Sequence, residues 1–185
     1  ALGQARQMLG PDKLMVANVL RARFPDSGLS HLKAFDGSYI EGFEGTVGEM
    51  SRKDYVAKGM AAFQEAARQG YLIAFTCGLG KNLQDADENP QAAPEMRQPL
   101  DRGARLAYLL AMFLICAEKH SYIDIHDSYD AKTSKTWMTH RRELDHPLGA
   151  PKGPAVRAGY IYTREFARAS VRLDIEKQTG EIVWH

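Results

Sequence analysis

The order of short apolar runs and longer helical segments between residues 35 and 127 constrains the fold more than any other feature. An apolar run at Tyr71–Cys77 follows directly on an amphipathic segment that stops at Gly70. A second run, Ser121–Asp127, follows a segment at 101–119 that is apolar nearly all round. Runs of about 4–8 residues are typical of strands, and their alternation with helices is typical of a parallel sheet. The sequence therefore predicts an α/β fold.

Two further strands are predicted before the first long helix. Lys13–Val19 has the loose apolar pattern of a strand buried on both faces, with Asn18 near its C-terminal end. Phe35–Phe43 predicts a second strand, in which Tyr39 and Glu41 share one face because side chains alternate along a strand. The helix after it is predicted to begin at a capping box, Ser51 with Asp54, and to end at Gly70.

The C-terminal part of the chain has a different pattern. Gly78–Leu100 and Ser128–Pro154 are polar and contain several prolines, which predicts long loops. Beyond them, Ala169–Ile175 and Glu181–Trp184 are predicted to form a β-hairpin through Lys177–Gly180, with a further short strand at Gly159–Phe166. We expect this hairpin to close the domain.

Composition excludes several function classes. The 185 residues carry a formal net charge of +1, and the basic residues are scattered, so no nucleic-acid partner is expected. Two cysteines without CxxC spacing predict neither a disulfide framework nor a metal site. The longest apolar stretch, Leu106–Ala117, is shorter than the roughly 20 residues that cross a bilayer, so no membrane association is expected. We expect no cofactor.

Polar residues at the predicted strand ends are the candidates for a functional site, because ligands bind at the C-terminal ends of parallel strands. Two facing carboxylates are what a glycosidase needs, and Glu41 with Asp124 is the candidate catalytic pair. Asn18, Tyr39 and His126 are candidates for binding the sugar. The alternatives stay open, since a glutamate at a strand end is often a solvated loop residue and a strand tyrosine often packs in the core.

A metal site is a second use for the same strand end. Asp124 and His126 lie on one face of the predicted strand, and Asp127 follows them. No third ligand position is identifiable among the remaining histidines, so the prediction is that no metal is bound.

Several short motifs resemble a known family. They are Lys13–Asn18, Phe35–Phe43, Pro147–Pro151 and Tyr162–Val171, which are similar to the C-terminal half of glycoside-hydrolase-like (β/α)8-barrel proteins. In that family a strand ending in Asn precedes a strand with an Asp-Gly start and an acidic end. A Leu-Gly-x-Pro segment then leads into an Arg-x-Phe strand.

The resemblance implies roles for particular residues. Asn18 and Glu41 take the strand-end positions, and Arg164 takes the position of the arginine before the closing strand, where it would bind substrate. Asp127, at the end of the strand that carries Asp124, is a further candidate for binding substrate. The chain departs from the family at Ala167–Ala169, where a residue pair ending in Gly is common. That departure puts the last turn in doubt.

A complete barrel needs about 250 residues, whereas this chain has four predicted strands in its first 127 residues. The expectation is therefore the C-terminal half of a (β/α)8 TIM-type barrel with a terminal β-hairpin. It would be a single domain spanning 1–185 within a longer chain. Its expected partners are carbohydrate and either the missing N-terminal half of the barrel or a second copy in a homo-oligomer.

Two functions follow from this resemblance. The first is hydrolysis of a glycosidic bond in a polysaccharide or oligosaccharide, with carboxylate acid/base chemistry. The alternative is a non-catalytic carbohydrate-binding or structural subunit derived from a barrel. A secreted or periplasmic location would suit an enzyme of polysaccharides, and the sequence leaves the location open.

Overall fold

The computed structural model describes residues 2–42, 49–79, 101–126 and 141–185. These residues form a mixed α/β structure with one parallel and one antiparallel sheet. The helices are α1 (Leu2–Leu9), α2 (Leu29–Leu32), α3 (Arg52–Arg68) and α4 (Arg102–Cys116), with a short 3-10 helix at Arg142–Leu144. The strands are β1 (Val16–Ala17), β2 (Gly37–Glu41), β3 (Leu72–Gly78), β4 (Ser121–His126), β5 (Val156–Ala158), β6 (Ile161–Glu165), β7 (Ala169–Asp174) and β8 (Thr179–Trp184).

The chain divides into two compact units. The first unit comprises Ala1–Thr76 and Cys116–Ile123, and the second comprises Cys77–Ile115 and Asp124–His185. The boundary falls within β3 and within β4, so each of these strands begins in the first unit and ends in the second.

The first sheet has the strand order β1-β2-β3-β4. β1 is parallel to β2, and β2 is parallel to β3 over its whole length. The backbone N–H of Ile73 donates to the carbonyl of His120, and that of Leu79 donates to the carbonyl of His126. Between these two hydrogen bonds the chain advances by the same number of residues, and in the same direction, in β3 and in β4. β3 and β4 are therefore parallel. The four strands predicted for a parallel sheet are therefore all present, and β1 and β4 are the outer strands.

The first strand differs from its prediction. The run at 13–19 was expected to be buried on both faces, but β1 contains only two residues, and Leu14 and Val16 are 67% and 40% exposed. The prediction was wrong for the face that carries Leu14 and Val16, whereas Met15 on the other face is buried. After Ala17 the chain leaves the ladder, and the next backbone N–H groups donate to the side chain of Ser38.

Helix α3 confirms the predicted capping and amphipathic face. The Ser51 hydroxyl accepts a hydrogen bond from the backbone N–H of Asp54 at 3.3 Å, which satisfies one of the N–H groups left open at a helix start. The buried face includes Phe63, whose ring meets that of Phe75 of β3 edge-to-face at 5.5 Å. Gly70 follows the helix with φ +88°, a conformation that favours glycine. These contacts form the core of the first unit.

The antiparallel sheet of the second unit corrects the predicted terminal hairpin. β7 and β8 do form a hairpin, with Asp174 opposite Thr179, but they belong to a four-stranded sheet in the order β5-β6-β7-β8. The prediction missed β5 because all three of its residues are exposed and it shows no alternation of apolar and polar residues. The described residues therefore form a four-stranded antiparallel sheet where a hairpin and one further strand were predicted.

Helix α4 packs on this sheet with its backbone close to that of β8. A Cβ atom at Gly180 would lie 2.4 Å from the carbonyl oxygen of Ala107 and 2.7 Å from the Cα of Tyr108. Only a residue without a side chain permits this approach. Tyr108 and Leu109 are almost completely buried, which agrees with a helix that is apolar nearly all round.

The two predicted long loops lie mostly outside the described residues. The predicted loop Gly78–Leu100 lies outside the described residues from residue 80 onward, and the polar segment from Ser128 lies outside them up to residue 140. Across the residues that are described, no helix is long and apolar enough to cross a membrane.

Candidate functional site

The C-terminal ends of β1 and β2 bring two of the predicted site residues together. Asn18 follows β1 directly, and Glu41 is the last residue of β2. Because the strands are parallel neighbours, their C-terminal ends meet at one edge of the sheet. The side-chain amide of Asn18 donates a hydrogen bond from Nδ2 to Oε2 of Glu41 at 3.3 Å. Both side chains are half-buried.

The side-chain oxygen of Asn18 has an unused capacity to accept a hydrogen bond. This atom, Oδ1, is buried, and none of the described residues donates a hydrogen bond to it. A buried polar atom without a partner is costly, and in native structures such an atom often marks a binding site. Tyr39 lies two residues before Glu41 on the same face of β2 and is also half-buried.

A residue that sequence reasoning missed positions this pair. Ser38 is 0% exposed, and its hydroxyl oxygen accepts hydrogen bonds from the backbone N–H groups of Val19 and Leu20 at 3.2 and 3.1 Å. The same hydroxyl lies 3.1 Å from the carbonyl of Tyr39, to which it donates. Ser38 therefore holds the chain that follows Asn18 against β2. The available signal was a polar residue on the inward face of a predicted strand.

The Asp-Gly at the start of β2 has a structural role. Oδ2 of Asp36 accepts hydrogen bonds from the Arg6 guanidinium and from the backbone N–H of Met15, each at 2.7 Å. The Arg6 hydrogen bond is the main reason that the pKa of the Asp36 carboxyl is lower than its ordinary value, and the Met15 N–H acts in the same direction. These bonds join α1, β1 and β2. Next to Asp36, Gly37 has no room for a Cβ, which would lie 2.2 Å from the carbonyl oxygen of Leu72.

The second unit holds the predicted site residues of β4. Asp124 is exposed, whereas His126, the last residue of the strand, is 2% exposed. The carbonyl of His126 accepts a hydrogen bond from Leu79 at 2.6 Å. Its imidazole Cε1 lies 3.9 Å from where a Cβ of Gly78 would be. Asp127 lies outside the described residues. The catalytic role of Asp124 and the binding roles of His126 and Asp127 stay predictions.

Arg164 is used inside the second unit. It is 3% exposed, and its Nη1 donates to the carbonyl oxygens of Leu114 and Ile115 at 3.1 and 3.5 Å. Its guanidinium carbon lies 5.1 Å from the centre of the Phe166 ring. A cation at the C-terminal turn of a helix satisfies open carbonyls and complements the helix dipole. These contacts give Arg164 a structural role, and its binding to substrate stays a prediction.

The predicted metal alternative is not decided by the described residues. Among them, no group of three or more histidine, cysteine, aspartate or glutamate side chains could hold a metal ion. Asp127, which completes the predicted set with Asp124 and His126, lies outside them.

Comparison with known proteins adds one match. Residues 1–170 match the model of a family described as hypothetical glycosyl hydrolase family 15. The match includes all the described candidate residues of both units. The comparison with curated proteins found no match.

Proposed function

The chain belongs to hypothetical glycosyl hydrolase family 15, and from this premise we propose that it hydrolyses a glycosidic bond in a polysaccharide or oligosaccharide. The family model covers residues 1–170, which supports a glycoside-hydrolase-like protein. The substrate class, the catalytic residues and their roles are the parts that we propose.

The hydrogen-bonded pair of Asn18 and Glu41 carries this proposal. A carboxylate held at the C-terminal end of a parallel strand is in the position where α/β proteins and barrels perform chemistry. Asn18 Nδ2 fixes one oxygen of that carboxylate. Asn18 Oδ1 is buried and has no donor among the described residues, and its proposed role is to accept a hydrogen bond from a sugar hydroxyl when substrate binds.

Glu41 is proposed as the carboxylate that attacks the anomeric carbon or activates water. Nδ2 of Asn18 can only donate, so the Glu41 oxygen that it contacts is an acceptor, as a nucleophile or general base requires. A second carboxyl group must then protonate the leaving oxygen. Asp124 is the proposed partner, on the strand-end argument alone. Tyr39, His126, Asp127 and Arg164 are proposed to bind the sugar.

The order of the parallel strands supports a barrel-derived fold. In the order β1-β2-β3-β4 each strand lies beside the next one in sequence. Strands follow one another in this way around a (β/α)8 barrel, whereas in a doubly wound sheet the strand order reverses at a switch point. We propose that the parallel sheet is the C-terminal part of such a barrel. Its completion would then come from a missing N-terminal half or from a second copy of the chain.

The experiment compares Glu41→Gln with wild type in the full-length protein on a panel of soluble polysaccharides. Removing a group that attacks or transfers a proton is expected to reduce kcat by about 100-fold or more. Glu49→Gln is the matched control, because Glu49 is an exposed glutamate in the part of the chain that follows β2. It is expected to keep wild-type turnover.

The panel also separates the two functions. If Glu41→Gln turns over a hydrolysed substrate within about threefold of wild type, the role proposed for Glu41 is wrong. If wild type binds polysaccharides without hydrolysing any of them, the alternative of a non-catalytic carbohydrate-binding subunit is favoured.

A further inference from the structure

A cavity of about 220 Å³ lies in the second unit, between α4 and the end of β8. Its walls include Leu106 and Leu110 from one face of the helix, and Ile182 and Trp184 from the strand. Glu143 of the 3-10 helix supplies a carboxylate. Pockets for drug-sized ligands are usually larger, about 300 Å³ or more. The size of this cavity suits a single small ring.

Two glycines explain why the cavity exists. At Gly180 the backbones of α4 and β8 approach so closely that a Cβ would lie 2.4 Å from a carbonyl oxygen of the helix. Ile182 and Trp184 lie two and four residues further along the same face of β8, and their side chains line the cavity. On the helix, Gly103 lines the cavity without a side chain to fill it. The space therefore follows from the packing of the two elements.

The indole of Trp184 is held by a neighbouring ring. The imidazole of His146 stacks on it with a centroid separation of 4.5 Å and an interplanar angle of 16°. Trp184 is half-buried, and it lines the cavity while keeping this partner. An aromatic ring whose orientation is already set loses little side-chain entropy when a ligand packs on it.

The chemistry of the lining selects a neutral ring with one apolar face. The C–H groups of a pyranose form such a face, which packs on an indole, and its hydroxyl groups can donate to the Glu143 carboxylate. The leucines and Ile182 form an aliphatic wall that a charged ligand would have to contact without its water. A neutral sugar ring satisfies all three surfaces.

We propose that this cavity is a carbohydrate-binding subsite for one pyranose unit, additional to the site at Glu41. The proposal rests on the proposed function in taking carbohydrate as the ligand class. Ile182 and Trp184 lie beyond the residues that the family model matches, so family membership does not imply the subsite. Its place in the reaction is to hold a polysaccharide chain, not to cleave it.

The test follows the indole N–H signal of Trp184 by NMR in wild type and in Glu41→Gln. The probes are cellotetraose, xylotetraose and tetraacetylchitotetraose, each added separately to millimolar concentration. A saturable shift of the Trp184 signal with at least one of them is expected in both proteins. Because this measurement uses the intact cavity, it does not depend on whether a cavity variant folds.

Two variants then test the lining itself. Trp184→Ala removes the stacking surface and is expected to weaken binding about tenfold, measured by titration calorimetry because this variant lacks the indole signal. Gly103→Leu places a side chain in the cavity and is expected to abolish binding, although a Cβ there meets nothing closer than the Asp101 carboxylate at 3.3 Å. Val183→Ala is the control, because Val183 is 46% exposed and points to the other face of β8.

The outcomes separate this inference from the proposed function. If wild type hydrolyses a polysaccharide but no probe shifts the Trp184 signal, the subsite is wrong and the proposed function stands. If a probe shifts the signal and no substrate is hydrolysed, the subsite is supported and the proposed hydrolysis is not. Binding that changes less than about twofold in both cavity variants also overturns the subsite.

Discussion

After β1 ends, the hydroxyl of Ser38 accepts the hydrogen bonds through which the chain stays attached to β2. Ser38 accepts hydrogen bonds from the backbone N–H groups of Val19 and Leu20, and the Val19 N–H also donates to the carbonyl of Ala17 at 3.0 Å. A single side chain thus lets the chain turn away from β2 directly after Asn18. The geometry at Glu41 depends on this turn, because Asn18 reaches the carboxylate from its start.

Replacing Ser38 with alanine is expected to destabilise the protein by about 1–3 kcal/mol, because the buried Leu20 N–H loses its acceptor and the Val19 N–H keeps only the carbonyl of Ala17. The measurement is the free energy of unfolding from urea denaturation. Ser170→Ala is the control, since its hydroxyl bonds only to the exposed side chains of Glu165 and His185 among the contacts that the structure gives it. Equal stability of the two variants would contradict the positioning role of Ser38.

Asp36 provides a pH-dependent prediction at the same scale. Its pKa is lower in the folded protein than in the unfolded chain, first because of the Arg6 hydrogen bond and then because of the Met15 N–H. Its ionised form therefore stabilises the fold fully above the unfolded pKa of about 3.9, and this contribution is lost as the pH falls through the folded pKa.

We expect Asp36→Asn to be less stable than wild type at pH 7 and the difference to shrink below about pH 4. Both side chains of the ion pair are about one third exposed, 37% for Arg6 and 32% for Asp36, so the effect should not exceed about 1 kcal/mol. Thermal melts of both proteins across pH, with exposed Asp12→Asn as control, provide the measurement. A difference that grows toward acid would contradict the assignment.

At the scale of elements, α4 is held against the antiparallel sheet near its middle and at its last turn. Near the middle, Gly180 of β8 lets the backbone of the strand lie against that of the helix at Ala107 and Tyr108. At its last turn, the buried Arg164 of β6 donates to the carbonyls of Leu114 and Ile115. The close backbone contact at Gly180 and the hydrogen bonds of Arg164 thus fix the position of a helix whose surface is almost entirely apolar.

Gly180→Ala is therefore expected to destabilise the second unit by about 1–3 kcal/mol, as overpacking does when the opposing atoms belong to backbone. The added Cβ would meet the carbonyl oxygen of Ala107 at 2.4 Å. Gly153→Ala is the matched control, since a Cβ there meets nothing within 4 Å. Chemical denaturation measures both variants. A Gly180→Ala protein as stable as the control would show that the helix and strand are separated more than described.

At the scale of the whole molecule, β1 and β4 are the outer strands of the parallel sheet among the residues that the structure describes. Leu14, Val16 and Tyr122 on or beside them are 67%, 40% and 56% exposed. β4 carries the exposed charge of Asp124, whereas β1, Val16–Ala17, has no charged residue, and such an edge strand is able to pair with another chain. Either a further segment of barrel or a second copy would cover these edges.

The isolated chain of residues 1–185 is expected to associate, and light scattering should give a mass above the 20.6 kDa of one chain. Val16→Lys places a charge on the β1 edge and is expected to reduce this association. Leu144→Lys is the control, because Leu144 is 47% exposed but lies in the 3-10 helix. A monomer with a cooperative melt would contradict both the association and the half-barrel proposal.

The sequence by itself determined the features that depend on local periodicity. The capping box at Ser51, the glycine stop at Gly70 and the four strands of the parallel sheet were all predicted, because side-chain spacing and backbone preferences act over a few residues. It also predicted that Asn18 and Glu41 lie at strand ends, and the parallel pairing of β1 with β2 places them in contact.

Only the tertiary structure shows which residues from distant parts of the chain contact one another. The sequence does not show that β1 is an edge, that Ser38 accepts two N–H groups of a neighbouring segment, or that Arg164 points to the end of α4. It also does not show β5, whose residues are all exposed and whose partner, β6, provides the hydrogen bonds. These features arise from contacts between residues far apart in the chain. Their energies depend on packing and on the pairing of buried polar groups, which local patterns do not record.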